Sequence, residues 1–242
     1  MRGCANAASR RLAWVVAGFA LLLGGCASPG ALVLHNVGSA DAARPGSYVN
    51  ATPEQARQGL RVSRDGQPLA VDVGMVLATG DLVECLADTV AVLRFPDGHE
   101  ATLLPRTRVR LGSIFVFSGE AFVRVFKQAQ DKLNQAQGQF KVRTRYVTAG
   151  VEGTTFWVRL DPDDHLAVGV LEGRISLSSA DGRWQPVPVV ENEVATVLRD
   201  GPPSKLPQER DQVDSIVRLM RSGMGLTPRP PPMVRLPMAP GR

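Results

Sequence analysis

Cysteine is scarce in this chain. Its 242 residues hold 3, Cys4, Cys26 and Cys85, so the dense disulfide framework that braces small secreted domains is excluded. Histidine is equally thin: His35, His99 and His165 stand far apart, and no Cys or His pair has the spacing of metal ligands. There is no Gly-x-Ser-x-Gly elbow and no phosphate-cradling loop followed by Lys. No run after the first 25 residues approaches the roughly 20 apolar residues that a membrane-spanning helix needs. Catalysis by a recognised constellation is therefore not expected, and neither a cofactor nor a metal is implied.

What is present begins at the N-terminus. Arg2, Arg10 and Arg11 precede an apolar run from Leu12 to Leu23, and Leu23-Gly24-Gly25-Cys26 follows. A basic start, a short apolar stretch and small residues before a cleavage point mark a secretory signal peptide over residues 1–25. The Leu-Gly-Gly-Cys step resembles a lipoprotein signal, which implies acylation of Cys26 as the first mature residue. Two or more acyl chains give stable anchoring, so the membrane is one expected partner. Ala27, where an Asp would favour the inner membrane, points to the outer membrane facing the periplasm.

Removing three leader arginines changes the charge balance from 28 bases against 23 acids to 25 against 23, a net charge of +2. That is too little to argue for nucleic acid as a partner. Cys85 shares strand parity with Val83 and reads as a buried structural thiol. Without disulfides, stability rests on an apolar core, which a domain of about 150 residues can bury.

Residues 26–58 read as a lipidated tether with weak local structure, whose apolar patch Leu32-Val33-Leu34 either belongs to the tether or docks on the domain. From 59 to 201 the chain is rich in short β-branched and aromatic runs. Asp65-Gly66, Asp97-Gly98 and Asp181-Gly182 supply hairpin signals between them. Phe156, Val158 and Leu160 alternate with Trp157 and Arg159, as do Ile175 and Leu177 with Arg174 and Ser176. Val90 to Leu93 and Ala167 to Leu171 are apolar throughout, as central strands are. The expectation is all-β: a two-sheet sandwich or a β-solenoid-like domain. Lys127 to Gln139 is a polar loop or short helix. Val213, Ile216, Val217 and Met220 make one face of an amphipathic helix over 207–224. The Pro- and Arg-rich tail from 227 to 242 is expected to be disordered.

Several segments, in order, resemble the periplasmic domain of the iron-citrate regulator family, the FecR-like domain. They are Gly74 to Asp81, Val90 to Gly98, Leu103 to Val109, Val142 to Thr144 with Gly150 to Phe156, and Val170 to Leu177. The likeness spans about Gly74 to Gly201 and implies a β domain acting as a binding module. The motif positions Asp97, Gly98, Gly153, Thr154, Phe156, Glu172 and Gly173 are expected to fold the chain, with Gly153 and Gly173 at reversals, and not to form a site. Tyr146, Glu152 and the long 127–139 segment depart from the family pattern. Family regulators of sigma factors also carry a cytoplasmic segment and a membrane-spanning helix. This chain shows neither, so the resemblance implies the domain and not the signalling circuit.

Candidate surfaces are few. Trp157 beside Arg159, with Trp184 after a turn, offers an exposed aromatic patch suited to a protein or glycan, unless a sheet or the C-terminal helix covers Trp157. Asp161, Asp163 and Asp164 cluster on a turn, where either solvation or Ca²⁺ accounts for them. His99, on a tight turn, is expected to be exposed. The function expected first is a non-catalytic, membrane-anchored envelope module that binds a protein or peptidoglycan partner. A regulatory or sensory envelope component is the alternative, and an envelope hydrolase without a recognisable motif is a third.

Overall fold

The computed structural model describes residues 31–44, 46–112, 114–126, 140–199, 201–208 and residue 214. Fifteen strands and one short helix fill this span in the order β1 (Val33–Ala40), β2 (Tyr48–Asn50), α1 (Pro53–Gly59), β3 (Leu60–Arg64), β4 (Gln67–Leu69), β5 (Leu82–Cys85), β6 (Thr89–Arg94), β7 (Glu100–Leu103), β8 (Arg108–Arg110), β9 (Ile114–Arg124), β10 (Lys141–Arg143), β11 (Val147–Leu160), β12 (His165–Ser179), β13 (Val187–Val190), β14 (Glu193–Leu198) and β15 (Ser204–Pro207). The all-β expectation holds.

Three long strands, β9, β11 and β12, organise the rest. The last part of β9, the last part of β11 and the first part of β12 lie in the row β15-β14-β12-β11-β9-β7-β6-β1-β2. Their other parts lie in a second row, β13-β12-β11-β10-β9-β8-β5-β3-β4. Every pairing is antiparallel except β9 with β10, which identifies sandwich-like rather than solenoid architecture. One apolar interior draws side chains from both rows, among them Leu34, Leu93 and Val123 from the first and Val62, Val109 and Val142 from the second. Burying each such side chain contributes about 1.5–3 kcal/mol. The expected inward set is confirmed: Phe156, Val158, Leu160, Ile175 and Leu177 are all buried, as is Cys85.

Each long strand crosses between rows at a glycine with positive φ: Gly119 (92°), Gly153 (52°) and Gly173 (86°). Gly153 and Gly173 thus bend continuous strands in mid-course, whereas the sequence suggested chain reversals. The motif pairs with itself: a Cβ at Gly173 would stand 2.9 Å from the Gly153 carbonyl oxygen. Two buried threonines close the backbone gaps that such bends open. The Thr154 hydroxyl donates to Arg174 O (2.7 Å), and the Arg174 N–H donates back (3.3 Å). The Thr107 hydroxyl treats Glu120 in the same way, both at 2.9 Å.

The reading of 26–58 as a tether is corrected over its described part. β1 pairs with β6 and buries Leu34 and Val37 completely. A register break between Leu34 and Asn36 puts these two residues, three apart, on the same face. That hides the strand from a period-2 search. α1 follows from a capping box in which Thr52 and Gln55 bond each other's backbone, with Pro53 in the first turn. The body also continues past 201 through β15. The signal peptide, Cys26, the 127–139 segment and the Pro/Arg tail lie outside the described residues. So does the helix expected over 207–224, apart from Pro207, Gln208 and the single residue Asp214.

The three Asp-Gly turns stand where expected. Asp65 and Gly66 both take positive φ, 49° and 80°, in the two-residue loop joining β3 to β4. Gly98 and Gly182 take positive φ in the turns after β6 and β12.

Candidate functional site

Phe156 is fully buried, Thr154 nearly so, and Glu172 is exposed beside the β12 bend. Asp97 caps its turn by accepting the His99 N–H (3.0 Å).

His99 is not exposed as expected; it is completely buried. Its Nδ1 accepts the Phe126 N–H (3.3 Å), its ring meets Phe140 edge-on at 5.2 Å, and Phe140 packs edge-on against Phe95 at 5.4 Å. Nε2 lies 3.5 Å from Asp97 Oδ2, too far for a hydrogen bond, and is left without one. Burial pushes the imidazole below its ordinary value near 6.5, opposed by the charge of Asp97. Phe126 and Phe140 flank the 127–139 segment, so a neutral histidine joins its two roots.

Of the two alternatives for Trp157, an exposed aromatic surface or a covered side chain, the structure shows the second. Trp157 is only 4% exposed and packs with Val90, Leu104, Phe122, Ala167 and Val194. With the Gln208 amide oriented to satisfy its neighbours, its oxygen accepts from Trp157 Nε1 (3.0 Å) and its nitrogen donates to Val170 O (3.2 Å). Arg159 remains exposed, with its guanidinium 6.0 Å from the Trp157 ring and 3.6 Å from Asp161. Trp184 is half-buried against the core. The aspartates of the β11–β12 turn have separate contacts: Asp161 lies near Arg159, and Asp164 accepts from Tyr146 Oη (3.3 Å). Among the described residues no three His, Cys, Asp or Glu side chains gather as metal ligands do.

The geometry instead brings together a surface that the sequence search passed over. On the second row, alternate residues of β3, β5, β8, β9 and β10 point away from the core. Arg61, Glu84, Arg108, Arg110, Phe115, Phe117, Lys141 and Arg143 lie on this outward side, while Val62, Val83, Val109, Val116 and Val142 lie inward. Five cations thus share a face with one carboxylate. Among the described residues no ion pair involves any of the five or Glu84, and all five cations are exposed. Arg108 and Arg110 place their guanidinium carbons 5.6 and 5.1 Å from the Phe117 ring, which tilts against Phe115 at 4.8 Å. The signal was present as Arg-Val-Arg and Lys-Val-Arg, strands with cations at the outward parity, but these are far apart in sequence.

Asp81 was also missed. It is fully buried and accepts from Arg64 Nε (2.8 Å), Arg64 Nη2 (2.9 Å) and the Ala78 N–H (2.8 Å). The Arg64 hydrogen bonds hold its carboxyl below the usual carboxylate range. It fixes the approach to β5 and serves the fold.

The fold is thus a β-sandwich with bends at Gly119, Gly153 and Gly173 and an open charged face on its second row. By comparison with known families, residues 81–176 match the model of the family described as FecR protein. The matched stretch runs from the approach to β5 into β12, with β1–β4 and β13–β15 lying outside it on either side. Two crystal structures from Parabacteroides distasonis, described as a "putative anti-sigma factor" and determined at 1.65 and 2.50 Å, are 22% identical with TM-scores of 0.45. The similarity covers 56% and 55% of this chain and 64% and 62% of theirs, so less than two thirds of their length is spanned. Curated proteins give no match.

Proposed function

We propose that this protein is a non-catalytic regulatory component of a bacterial cell envelope. It is anchored through acyl chains on Cys26 and acts by binding a partner protein through its FecR-type β domain. The carrying observation is the FecR match over 81–176, which coincides with the strands whose glycine bends and threonine plugs define the body. That match favours the regulatory alternative over a plain scaffold for glycan. Among the described residues no helix is long and apolar enough to cross a membrane, so attachment in this proposal falls to the Leu23-Gly24-Gly25-Cys26 signal.

Crosslinking in intact envelopes followed by mass spectrometry tests the partner. Recovery of a membrane receptor or signalling protein, with altered transcription of a defined gene set on deletion, is the expected result. Recovery of peptidoglycan alone, with an unchanged transcript profile, rejects the regulatory role. Palmitate labelling lost in Cys26→Ser tests the anchor separately.

A further inference from the structure

The basic aromatic face and the start of β1 lie close together, which bears on what that face meets. β1 begins at Val33, so only seven Cα steps separate it from Cys26, a reach of at most about 25 Å. A domain held so close to a bilayer has little freedom to stand away from it. The entering chain is also fastened near the basic face. The Leu77 N–H donates to Leu32 O (2.8 Å), and three residues later the Gly80 N–H donates to Leu111 O (2.8 Å), beside Arg110. Those three steps span at most about 11 Å.

The face is built as a surface and not as a pocket. Its five strands extend over roughly 19 Å at the usual inter-strand spacing. Its cations come one from β3 and two each from β8 and β10, and Phe117, 37% exposed, stands close to Arg108 and Arg110. The excess of four positive charges here is larger than the mature chain's net charge of +2, so the rest of the chain is net negative. Electrostatics therefore orient the molecule with this side toward an anionic plane.

We propose that the outward face of β3, β5, β8, β9 and β10 docks on the anionic phospholipid surface to which Cys26 is anchored. Arg61, Arg108, Arg110, Lys141 and Arg143 meet phosphate headgroups, and Phe117 enters the interfacial layer. The docking rests on the lipoprotein reading for its geometry, but the chemistry of the face is independent of acylation. An acyl anchor and a basic surface are the two signals that together make attachment durable.

The test uses the mature chain with Cys26→Ser, unacylated, and sedimentation with vesicles. Vesicles containing phosphatidylglycerol are compared with phosphatidylcholine alone. Binding to the anionic vesicles only, weakened by added salt, is expected. Each cation near such a surface is worth about fivefold in affinity, so Arg108→Gln with Arg110→Gln lowers binding by about 25-fold. Both side chains are exposed, and an unchanged melting temperature verifies the fold. No preference for anionic vesicles, or binding indifferent to the two substitutions, overturns the proposal. A double variant that binds vesicles like the parent but loses a crosslinked envelope protein assigns the face to that protein instead. Palmitate labelling of Cys26 in cells is read separately, so a failure of anchoring is not confused with a failure of docking.

Discussion

Replacing Thr107 with valine keeps the β-branched shape and nearly the same volume, and removes one hydroxyl. In the native protein that hydroxyl is buried beside the β9 bend, donating to Glu120 O and accepting the Glu120 N–H, both at 2.9 Å. The carbonyl keeps a second bond, from the Leu104 N–H at 2.9 Å. The amide loses its acceptor in a half-buried setting, and stranding such a donor costs about 1–3 kcal/mol. A loss of about 2 kcal/mol corresponds to a fall in Tm of about 4–8 °C for a body of this size. Thr107→Ser is the control: it keeps both hydrogen bonds and forfeits a methyl group, about 0.8 kcal/mol. Differential scanning calorimetry on the three proteins gives the order wild type, Ser, Val. A valine variant as stable as the serine variant refutes the view that the hydroxyl bridges the bend.

Three further outcomes follow from buried groups. Asp81→Asn unbalances a buried carboxylate held by three donors, and a loss of about 2–3 kcal/mol is expected in urea unfolding, since half-exposed Arg64 regains some water; no change in the midpoint contradicts it. His99 is held neutral in the folded state with its pKa depressed, so the unfolded chain binds the extra proton first. Stability therefore falls as pH drops below about 6.5, the ordinary value. His99→Gln should flatten that part of the pH curve, and an identical slope in both proteins argues against it. The Cys85 thiol, buried and pushed upward by desolvation, should resist an aromatic disulfide reagent until denaturant is added. Rapid labelling of the native protein is the contrary result.

Periodicity served the chain well where strands are regular. Phe156, Val158 and Leu160, like Ile175 and Leu177, declared their burial through alternation, Val90 to Leu93 through an unbroken apolar run, and Asp65-Gly66 declared its hairpin. It failed wherever a bend or bulge reset the count. Leu34 and Val37 share a face only because the register slips between Leu34 and Asn36. Gly153 and Gly173 look like chain reversals in sequence because positive φ is common to turns and to bent strands. Trp157 showed the outward parity correctly, but parity does not tell whether an outward side is covered. The basic face escaped for a different reason: its cations come from strands separated by up to 82 positions, Arg61 to Arg143, and only the sheet's pairing order brings them together.

Because β9, β11 and β12 each run through both rows, neither row has a boundary along which it could part from the other. Pulling one half open would tear the same three strands that hold the other, so the body should melt in a single cooperative step. A signal carried by this protein then cannot consist of one half loosening while the other stays whole. A change of shape within the described body that involves β9, β11 or β12 therefore has to move both rows together.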